Sequence, residues 1–276
     1  MRDEILKRGV LQNLKKKLKK DIFEPSMRQY YRMRSSGRRV SRLKGEFAGE
    51  RCFIVGNGPS LNKIDLTLLE SEFSFGVNLI YYKTQEMGYK PTFYAVEDVN
   101  IINERIDEIN RFECEYMFLP VKFKSRFTPG ANRMFINQDI SFYNRESPYF
   151  EIPRFSQDCA KEVFCGQSVT ILNLQMAYYL GFSEVYLIGM DFHYDIPDSA
   201  LVNGAVIQNT EDDVNHFHPD YFGEGRKWHD PRLHNVLKSY RLAKLMYELD
   251  GRSIFNATKG GKLEIFDRVD FDSLFA

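Results

Sequence analysis

Cysteine is scarce in this sequence of 276 residues, and its four cysteines lie far apart. Because no Cys-x-x-Cys pair occurs, we expect neither a disulfide framework nor a zinc knuckle, and we interpret the four as reduced thiols. No apolar run approaches the roughly 18 residues that a membrane-spanning helix needs, and the first residues lack the apolar stretch of a secretory signal. These absences argue against a secreted or integral membrane protein, and we expect a cytoplasmic one.

Acidic residues are rare in the first 45 positions. That stretch holds 15 Lys and Arg against 4 Asp and Glu, a net charge of +11, and the rest of the chain carries the balancing −11. The apolar residues within positions 5–18 have roughly helical spacing, which predicts an amphipathic basic helix. Two interpretations stay open: this helix docks on an anionic membrane surface or partner, or it packs on the acidic body. A nucleic-acid partner is a weaker third option and is not expected, because no basic motif with interleaved aromatic residues follows.

The rest of the chain alternates between short apolar runs and segments with helical spacing, as is typical of a parallel sheet covered on both faces. We therefore predict an α/β, Rossmann-like, mostly parallel sheet with helices on both faces over residues 49–276, preceded by a basic N-terminal helical arm over residues 1–48. The stretch 122–165 lacks a regular pattern and is predicted to form loops and short elements that cover the site, and residues 195–215 are predicted to form a polar, mobile loop. The predicted strands lie near residues 51–55, 73–78, 92–96, 116–120, 185–189 and 253–257, and the predicted helices near residues 65–70, 101–111, 168–180 and 233–249.

A glycine-containing loop, Gly56-Asn57-Gly58-Pro59-Ser60-Leu61, directly follows the first predicted strand. Gly56 and Gly58 would allow a tight turn and a close approach of the backbone to a ligand, and Pro59 and Ser60 would begin a helix with free backbone N–H groups. The loop therefore predicts a nucleotide phosphate site, although a plain strand-to-helix turn would explain the same residues.

Polar side chains follow three other predicted strands. Asn78 could hydrogen-bond a ribose or base, or cap a loop. Glu97 and Asp98 could bind sugar hydroxyls or hold Mg²⁺ between phosphates, or they could be solvated loop acids. Asp191 follows the strand near residues 185–189 and would lie at the same edge. Because ligands bind beyond the carboxyl ends of the strands in open α/β sheets, we expect these four residues to contribute to one site.

Histidines cluster late in the chain, at His216, His218 and His229. A histidine could act as general base for an acceptor hydroxyl, because its pKa lies close to the working pH. A zinc or iron site is the alternative, but no third ligand follows at a standard spacing, so no metal is expected. Tyr194 could donate a hydrogen bond to a leaving-group phosphate and so offset charge without a metal.

Two further stretches supply candidates. Gln167 and Ser168 open a predicted helix and could form a second anion site, or Ser168 could serve only as the N-cap. The stretch from Asn256 to Glu264, which includes Thr258, follows the last predicted strand and so reaches the ligand edge of the sheet. It could meet phosphate, or it could form a plain turn.

Three of these segments, Phe53 to Leu61, Leu187 to Asp191 and Asn256 to Thr258, resemble the bacterial MptE-like family, which takes its name from an archaeal 6-hydroxymethylpterin pyrophosphokinase. That resemblance covers about residues 50–275. More remotely, the same order of motifs is similar to the family 42 sialyltransferases, which transfer sialic acid from CMP-sialic acid without a metal. The glycine loop, a strand-end Asn like Asn78, and a Gly-x-Asp-Phe stretch carry this second resemblance.

The sialyltransferase resemblance implies a catalytic base at His216, since Asn215-His216-Phe217 is similar to the Ser-His-Tyr of that family. His193 stands where the sialyltransferases have a phosphate-binding Tyr, with Tyr194 beside it, and their strand-end Asn is replaced near Glu97 and Asp98. The residues that the resemblance implies for nucleotide contact are Asn57, Gly58, Ser60 and Asn78.

We therefore predict an inverting glycosyltransferase that moves a sugar, such as a CMP-activated nonulosonate, from a nucleotide donor to a surface glycan or lipid-linked acceptor. The predicted catalytic residues are His216, Asp191 and Tyr194. The nucleotide sugar would be a co-substrate, and no tightly bound cofactor is expected. Two alternatives stay open: a Mg²⁺-dependent pyrophosphokinase that uses ATP and holds the metal with Asp98 and Asp191, and a noncatalytic nucleotide-sugar scaffold.

The basic arm would hold such an enzyme at the inner face of the membrane, and a homo-oligomer is compatible with the sequence. The arm and the closing Gly-Gly-Lys-Leu-Glu stretch resemble those of family members encoded with surface polysaccharide genes.

Overall fold

A computed structural model describes residues 35–204 and 206–276 of the chain. The amphipathic helix predicted within positions 5–18 therefore lies outside the described residues. The α-helices are α1 (Ser35–Arg42), α2 (Tyr81–Met87), α3 (Val99–Arg111), α4 (Val169–Leu180) and α5 (Leu233–Leu249). The strands are β1 (Arg51–Val55), β2 (Phe73–Val77), β3 (Phe93–Ala95), β4 (Tyr116–Pro120), β5 (Arg133–Ile136), β6 (Gln138–Asp139), β7 (Val163–Phe164), β8 (Glu184–Ile188), β9 (Leu201–Asn203), β10 (Val206–Gln208), β11 (Lys227–His229), β12 (Ser253–Asn256) and β13 (Asp267–Arg268).

Eight strands form one sheet in the order β13-β12-β8-β1-β2-β3-β4-β5. Every neighbouring pair in this sheet is parallel. This arrangement, with helices on both faces, confirms the predicted α/β, Rossmann-like fold. From β1 the chain moves outward to β5, and it returns on the other side of β1 with β8. The strand order therefore reverses between β1 and β8, and ligands bind in the crevice beyond the carboxyl ends of such a pair.

The alternation of side chains along β1 assigns the helices to the two faces. Cys52 and Ile54 pack in a core with α1, α4 and α5. Phe53 and Val55 point the other way and pack with α2, α3 and the short 3₁₀ helices that follow β1. Successive side chains of a strand point to opposite faces, so a strand covered on both sides consists entirely of apolar residues. The run Cys52 to Val55 has this character.

The residues before β1 pack on the sheet. Val40 of α1 and Phe47 are buried in the same core as α4, and the Phe47 ring stacks on that of Phe182 with 5.1 Å between centroids. The backbone N–H of Phe47 donates to the carbonyl of Leu180. Residues 35–48 thus contact the sheet domain, while the proposed division into an arm (1–48) and a body (49–276) stays a prediction.

Three regions differ from the sequence-based expectations. The helix expected near residues 65–70 is a single 3₁₀ turn, Leu66–Leu69, whose start is capped by the Asp65 carboxylate, which accepts from the backbone N–H of Thr67. Helix α2 was not expected, whereas strand β5 lies in the stretch 122–165 for which short elements without bounds were predicted. Strands β9 and β10 lie in the stretch predicted as a loop, where they form an antiparallel sheet with β11.

Among residues 35–204 and 206–276, no helix combines the length and the apolar character needed to cross a membrane.

Candidate active site

A cavity of about 640 Å³ lies beyond the carboxyl ends of β1, β2, β3 and β8. Four residues of the cavity wall lie at these strand ends. Gly56, Asn78 and Gly189 directly follow β1, β2 and β8, and Glu97 comes two residues after the end of β3. The strand reversal therefore produces a ligand-sized space where the topology of an open parallel sheet predicts one.

Most of the residues predicted for the site meet at this cavity. Those that line it are Gly56, Asn57, Gly58, Asn78, Glu97, Asp98, Gln167, Ser168, Asp191, Tyr194 and His216. Those that do not line it are Pro59, Ser60 and Thr258.

The anion site expected at the glycine loop is occupied by a carboxylate of the protein. The Ser60 hydroxyl donates to Asp191 Oδ2 at 2.7 Å, and the Ser60 backbone N–H lies 3.4 Å from the same oxygen. The backbone N–H of Gly58 donates to the carbonyl of Gly189. The expectation of a free backbone N–H at the helix start is therefore not met at Ser60, because the segment after β8 delivers the carboxylate of Asp191 to it.

Asn57 and Asn78 connect neighbouring segments of the site. The Asn57 side chain donates to the Val77 carbonyl at 3.2 Å and to the Tyr221 hydroxyl at 2.9 Å. Asn78 has a left-handed backbone (φ 49°), and its carbonyl accepts from the Tyr94 hydroxyl at 2.7 Å. In both residues the side-chain Oδ1 is buried and has no hydrogen-bond partner among the described residues. Two acceptor oxygens without donors therefore belong to residues of the cavity wall.

His216 forms a hydrogen-bonded pair with Asp213. His216 Nδ1 lies 2.7 Å from Asp213 Oδ2, and the Asp213 side chain is only 1% exposed. Asp213 also accepts from the backbone N–H groups of Asn215 and Phe222 at 2.8 and 3.0 Å. Since an ionised carboxylate only accepts, Nδ1 carries the proton, which leaves Nε2 of this cavity-lining ring as the basic nitrogen.

The His216 ring is fixed by its neighbours. It stacks on Tyr221 with 4.0 Å between centroids and an interplanar angle of 2°, and the ring of Tyr194 lies edge-on at 6.1 Å. The next residue, Phe217, donates its backbone N–H to the Asn57 carbonyl at 2.9 Å. The histidine segment and the glycine loop are therefore held together in one arrangement.

The other histidines lie in different surroundings. His218 lies away from the cavity, with its ring 4.9 Å from that of Tyr82 and its Nε2 3.6 Å from Glu86. His229 lines the cavity, and its Nδ1 is 3.5 Å from the side-chain nitrogen of Asn100. The geometry thus separates His216 from His218, which the sequence alone did not.

His193 lines the cavity beside Tyr194. Its Nε2 lies 2.9 Å from Asp195 and its Nδ1 lies 3.2 Å from Lys262 Nζ. Tyr194 stacks on Trp228 with 5.7 Å between centroids. Burial raises the pKa of Tyr194 to about 12, so its hydroxyl stays protonated at neutral pH and can donate.

Glu97 is held by a tyrosine that the sequence did not identify. Its Oε1 accepts from the Tyr143 hydroxyl at 3.1 Å, and its Oε2 is buried without a partner among the described residues. The same hydroxyl accepts from the Gln167 backbone N–H at 3.2 Å. Burial raises the pKa of Glu97 above its usual value, while the hydrogen bond from Tyr143 partly opposes this.

Two of the predicted site residues serve as helix caps. Ser168 accepts from the Thr170 backbone N–H at 3.3 Å at the start of α4. Asp98 accepts from the N–H groups of Asn100 and Ile101 at 2.7 and 3.2 Å at the start of α3. Within the described part of the chain, no three His, Cys, Asp or Glu side chains group in a way that could hold a metal ion.

Thr258 and the glycines after it form a structural turn. Thr258 Oγ1 accepts from the Met190 backbone N–H at 3.1 Å. The Arg268 guanidinium donates to the carbonyls of Gly260 and Gly261 at 2.8 and 3.1 Å. These contacts are those of a plain turn. Lys262 is the residue of this stretch that contacts the cavity wall, because its Nζ lies next to His193.

Sequence reasoning missed Asp213, Tyr143 and Arg145. The Asp-x-x-His spacing of Asp213 and His216 could have indicated the pair. No sequence pattern marks Tyr143 or Arg145, because they lie in the aperiodic stretch predicted as a loop.

The comparisons with known proteins give a family match and a likeness to solved structures. A search of proteins with curated functions found no match. The structure of MAf glycosyltransferase from Magnetospirillum magneticum AMB-1 is 15% identical, with a TM-score of 0.47, and the match covers 86% of this chain. This chain spans only 38% of that one. The family model described as 6-hydroxymethylpterin diphosphokinase MptE-like matches residues 26–197. Since this match takes in more than half of the sequence, the chain belongs to the MptE-like family.

Proposed function

We propose that the protein is a nucleotide-sugar-dependent glycosyltransferase in which His216 is the general base. The observation that carries the proposal is the Asp213–His216 pair on the wall of the cavity that Gly56, Asn57 and Gly58 also line. A histidine whose Nδ1 is held by a buried carboxylate presents Nε2 in a fixed orientation, and the carboxylate stabilises the imidazolium that forms.

The proposed reaction is a single displacement. The oxygen of an acceptor hydroxyl attacks the anomeric carbon of the donor sugar, and its proton passes to His216 Nε2. The bond between that carbon and the donor phosphate oxygen breaks, and the nucleotide leaves with the electron pair. Tyr194, whose raised pKa keeps its hydroxyl protonated, would donate a hydrogen bond to the departing phosphate.

Two asparagines would recognise the nucleoside part of the donor. The Oδ1 atoms of Asn57 and Asn78 lack hydrogen-bond donors within the described chain, and a buried acceptor without a partner is costly. Ribose hydroxyls or a base amino group would supply the missing donors.

The charge of the cavity favours a nucleoside monophosphate over a diphosphate as the leaving group. Its wall holds five acidic residues and only two arginines, Arg145 and Arg232. A donor with one phosphate brings less negative charge into such a site than a donor with two. This balance supports CMP as the leaving group among those considered; a nonulosonate would bring a second negative charge on its carboxylate, which would need a partner of its own in the cavity.

The family match supports a second candidate, a diphosphokinase that transfers a diphosphate from ATP to an alcohol. That reaction would need Mg²⁺ to offset the phosphate charge. Asp98 and Asp191 would then have to exchange their hydrogen bonds at the helix starts for the metal. A noncatalytic nucleotide-sugar scaffold is the third candidate, and it would bind ligand without turnover.

A thermal-shift panel of CMP, CDP, UDP, GDP and ATP, each with and without Mg²⁺, separates these candidates. Ligand at about a hundred times its dissociation constant adds roughly 2.7 kcal/mol, which moves the melting temperature by several degrees. We expect stabilisation by CMP without metal. Stabilisation by ATP only with Mg²⁺ would favour the diphosphokinase, and no stabilisation by any nucleotide would refute all three.

Turnover of a CMP-sugar donor then tests the base. His216→Ala should lower kcat by about a hundredfold or more. His218→Ala is the matched control, because this histidine lies away from the cavity. Equal rates for the two variants would remove His216 from the mechanism.

The acceptor and the location are further parts of the proposal. The net charge of +11 over residues 1–45 supports contact with the anionic inner face of the membrane, where a lipid-linked or surface-glycan acceptor would be available. Cosedimentation with anionic lipid vesicles tests this contact.

A further inference from the structure

Residues 141–151, which we call the rim segment, run along the mouth of the cavity. Phe142, Tyr143, Arg145, Phe150 and Glu151 of this segment line the cavity wall. Its two ends lie side by side, since the Glu151 backbone N–H donates to the Phe142 carbonyl at 3.0 Å. The segment is therefore a closed loop at the cavity mouth.

Two contacts fasten the rim segment to the rest of the site. At one end the Tyr143 hydroxyl bridges Glu97 Oε1 and the Gln167 backbone N–H at 3.1 and 3.2 Å. At the other end Glu151 Oε1 pairs with Arg232 Nη1 at 2.9 Å. Both contacts are made by side chains of the cavity wall, so the position of the loop is tied to the geometry of the site.

Arg145 lies between these two contacts, in a turn with its own hydrogen bonds. The Asn144 side chain accepts from the Glu146 backbone N–H at 3.0 Å, and the Asn144 carbonyl accepts from the Ser147 N–H at 2.8 Å. These bonds fix the backbone on both sides of Arg145, so its position at the cavity mouth is set before any ligand binds.

Charge distinguishes Arg145 from the other ionised groups of the wall. Arg232 is neutralised by Glu151, Asp98 caps α3, and Asp191 accepts from Ser60. Arg145 has neither a carboxylate partner nor a hydrogen-bond acceptor for its guanidinium among residues 35–204 and 206–276. It is thus the arginine of this wall that is free to bind an anionic group.

We propose that Arg145 binds the phosphate of the nucleotide donor and so determines that the site accepts nucleotides in preference to nucleosides. This assignment rests on the proposed function. The Ser60 helix start, where a phosphate was expected, already holds the Asp191 carboxylate, and the guanidinium fork of Arg145 supplies the donors that this loop does not. Tyr143 acts as a positioning residue, because its contacts with Glu97 and Gln167 hold the loop that carries Arg145.

Isothermal titration of the full chain tests the assignment, with the nucleotide that binds the wild type best and its parent nucleoside as the two probes. Arg145→Ala should weaken nucleotide binding about tenfold to a hundredfold and leave nucleoside binding unchanged. The nucleotide affinity of Arg145→Lys should lie between those of the wild type and Arg145→Ala, since lysine keeps the charge but loses the bidentate geometry. Arg241→Ala, which removes an exposed arginine of α5 outside the cavity, should behave like the wild type.

The possible outcomes separate this assignment from the proposed function. If the wild type binds a nucleotide and Arg145→Ala binds it equally well, the assignment fails and the proposed function stands. Equal weakening of nucleotide and nucleoside would also overturn the assignment, because the effect would then not concern the phosphate. If the wild type binds none of the nucleotides, the proposed function fails and the assignment fails with it. Because Arg145 is exposed, we expect Arg145→Ala to have the same melting temperature as the wild type.

Discussion

The contact between Gly58 and Asp191 gives the sharpest test of how the site is built. Gly58 has φ −71°, a backbone conformation open to any residue, so its glycine is not required by the backbone. A Cβ at this position would lie 1.8 Å from Asp191 Oδ2 and 2.8 Å from the Gly189 carbonyl oxygen. We infer that position 58 lacks a side chain because the carboxylate of Asp191 occupies that space.

Gly58→Ala should therefore expel the Asp191 carboxylate from the Ser60 helix start. The variant would lose the 2.7 Å hydrogen bond between Ser60 and Asp191, and a hydrogen bond to a charged group contributes about 1.5–3 kcal/mol. Overpacking against the Gly189 carbonyl would add about 1–3 kcal/mol. We expect a loss of about 3–5 kcal/mol in the free energy of unfolding, or a fall in melting temperature of roughly 6 °C or more.

Chemical denaturation of a double-mutant cycle measures this effect. In an Asp191→Ala background the carboxylate that would clash with the new Cβ is absent. Gly58→Ala should therefore lower the free energy of unfolding by at least about 1 kcal/mol less than it does in the wild type. Gly45→Ala is a control of the opposite kind, since its Cβ would meet nothing within 4 Å while its φ is +72°, and it should cost about 1–2 kcal/mol. A Gly58→Ala cost that does not change when Asp191 is removed would refute the reasoning.

Two further predictions concern the Asp213–His216 pair and Glu97. Asp213→Asn removes the charge that orients and stabilises the protonated His216 ring. We therefore expect kcat to fall by about 10²–10⁴ with little change in KM. A decrease in kcat of less than about tenfold would contradict the pairing. Because burial raises the pKa of Glu97 in the folded protein, the folded state keeps this proton to higher pH than the unfolded chain, and stability falls as pH rises from the unfolded pKa to the folded one. Glu97→Gln should remove that loss, so its melting temperature relative to the wild type should rise as the pH increases above the ordinary carboxyl pKa; a constant difference would contradict the raised pKa.

The buried strands and long helices could be predicted because the apolar runs and the helical spacing of their own residues indicate the type of element. The run Tyr116–Pro120 is observed with the predicted bounds, as is the helix Leu233–Leu249. The bounds of strand β5 were not predicted because the strand is short and begins with Arg133, a residue that looks exposed in the sequence. In the structure Arg133 is only 6% exposed, and its guanidinium donates to the side-chain oxygen and the carbonyl of Asn110 at 2.6 and 2.7 Å. Partners this distant in sequence are not encoded in a local pattern.

The site could be located from the sequence, but the partners of its residues could not. Strand-end positions brought Asn78, Glu97 and Asp191 to the cavity as topology predicts. The turn that presents His216 depends on distant contacts, since the Asn215 side chain bonds the backbone of Asp195 at 2.7 and 2.8 Å. The Asp-x-x-His spacing could have indicated Asp213 as a partner of His216, but that the pair faces the cavity became clear only from the folded turn.

The position of Asp191 also bears on what the site recognises. A glycine loop before a helix start usually suggests a phosphate site, yet here the protein's own carboxylate accepts from Ser60. Besides Glu97 Oε2, the groups left without partners at the cavity include three that suit a nucleotide: the acceptor oxygens of Asn57 and Asn78 and the guanidinium of Arg145. A ligand that satisfies all three must carry hydrogen-bond donors on one part and a single compact anion on another. A nucleoside monophosphate ester has both, which is why we favour it as the donor over a nucleoside triphosphate.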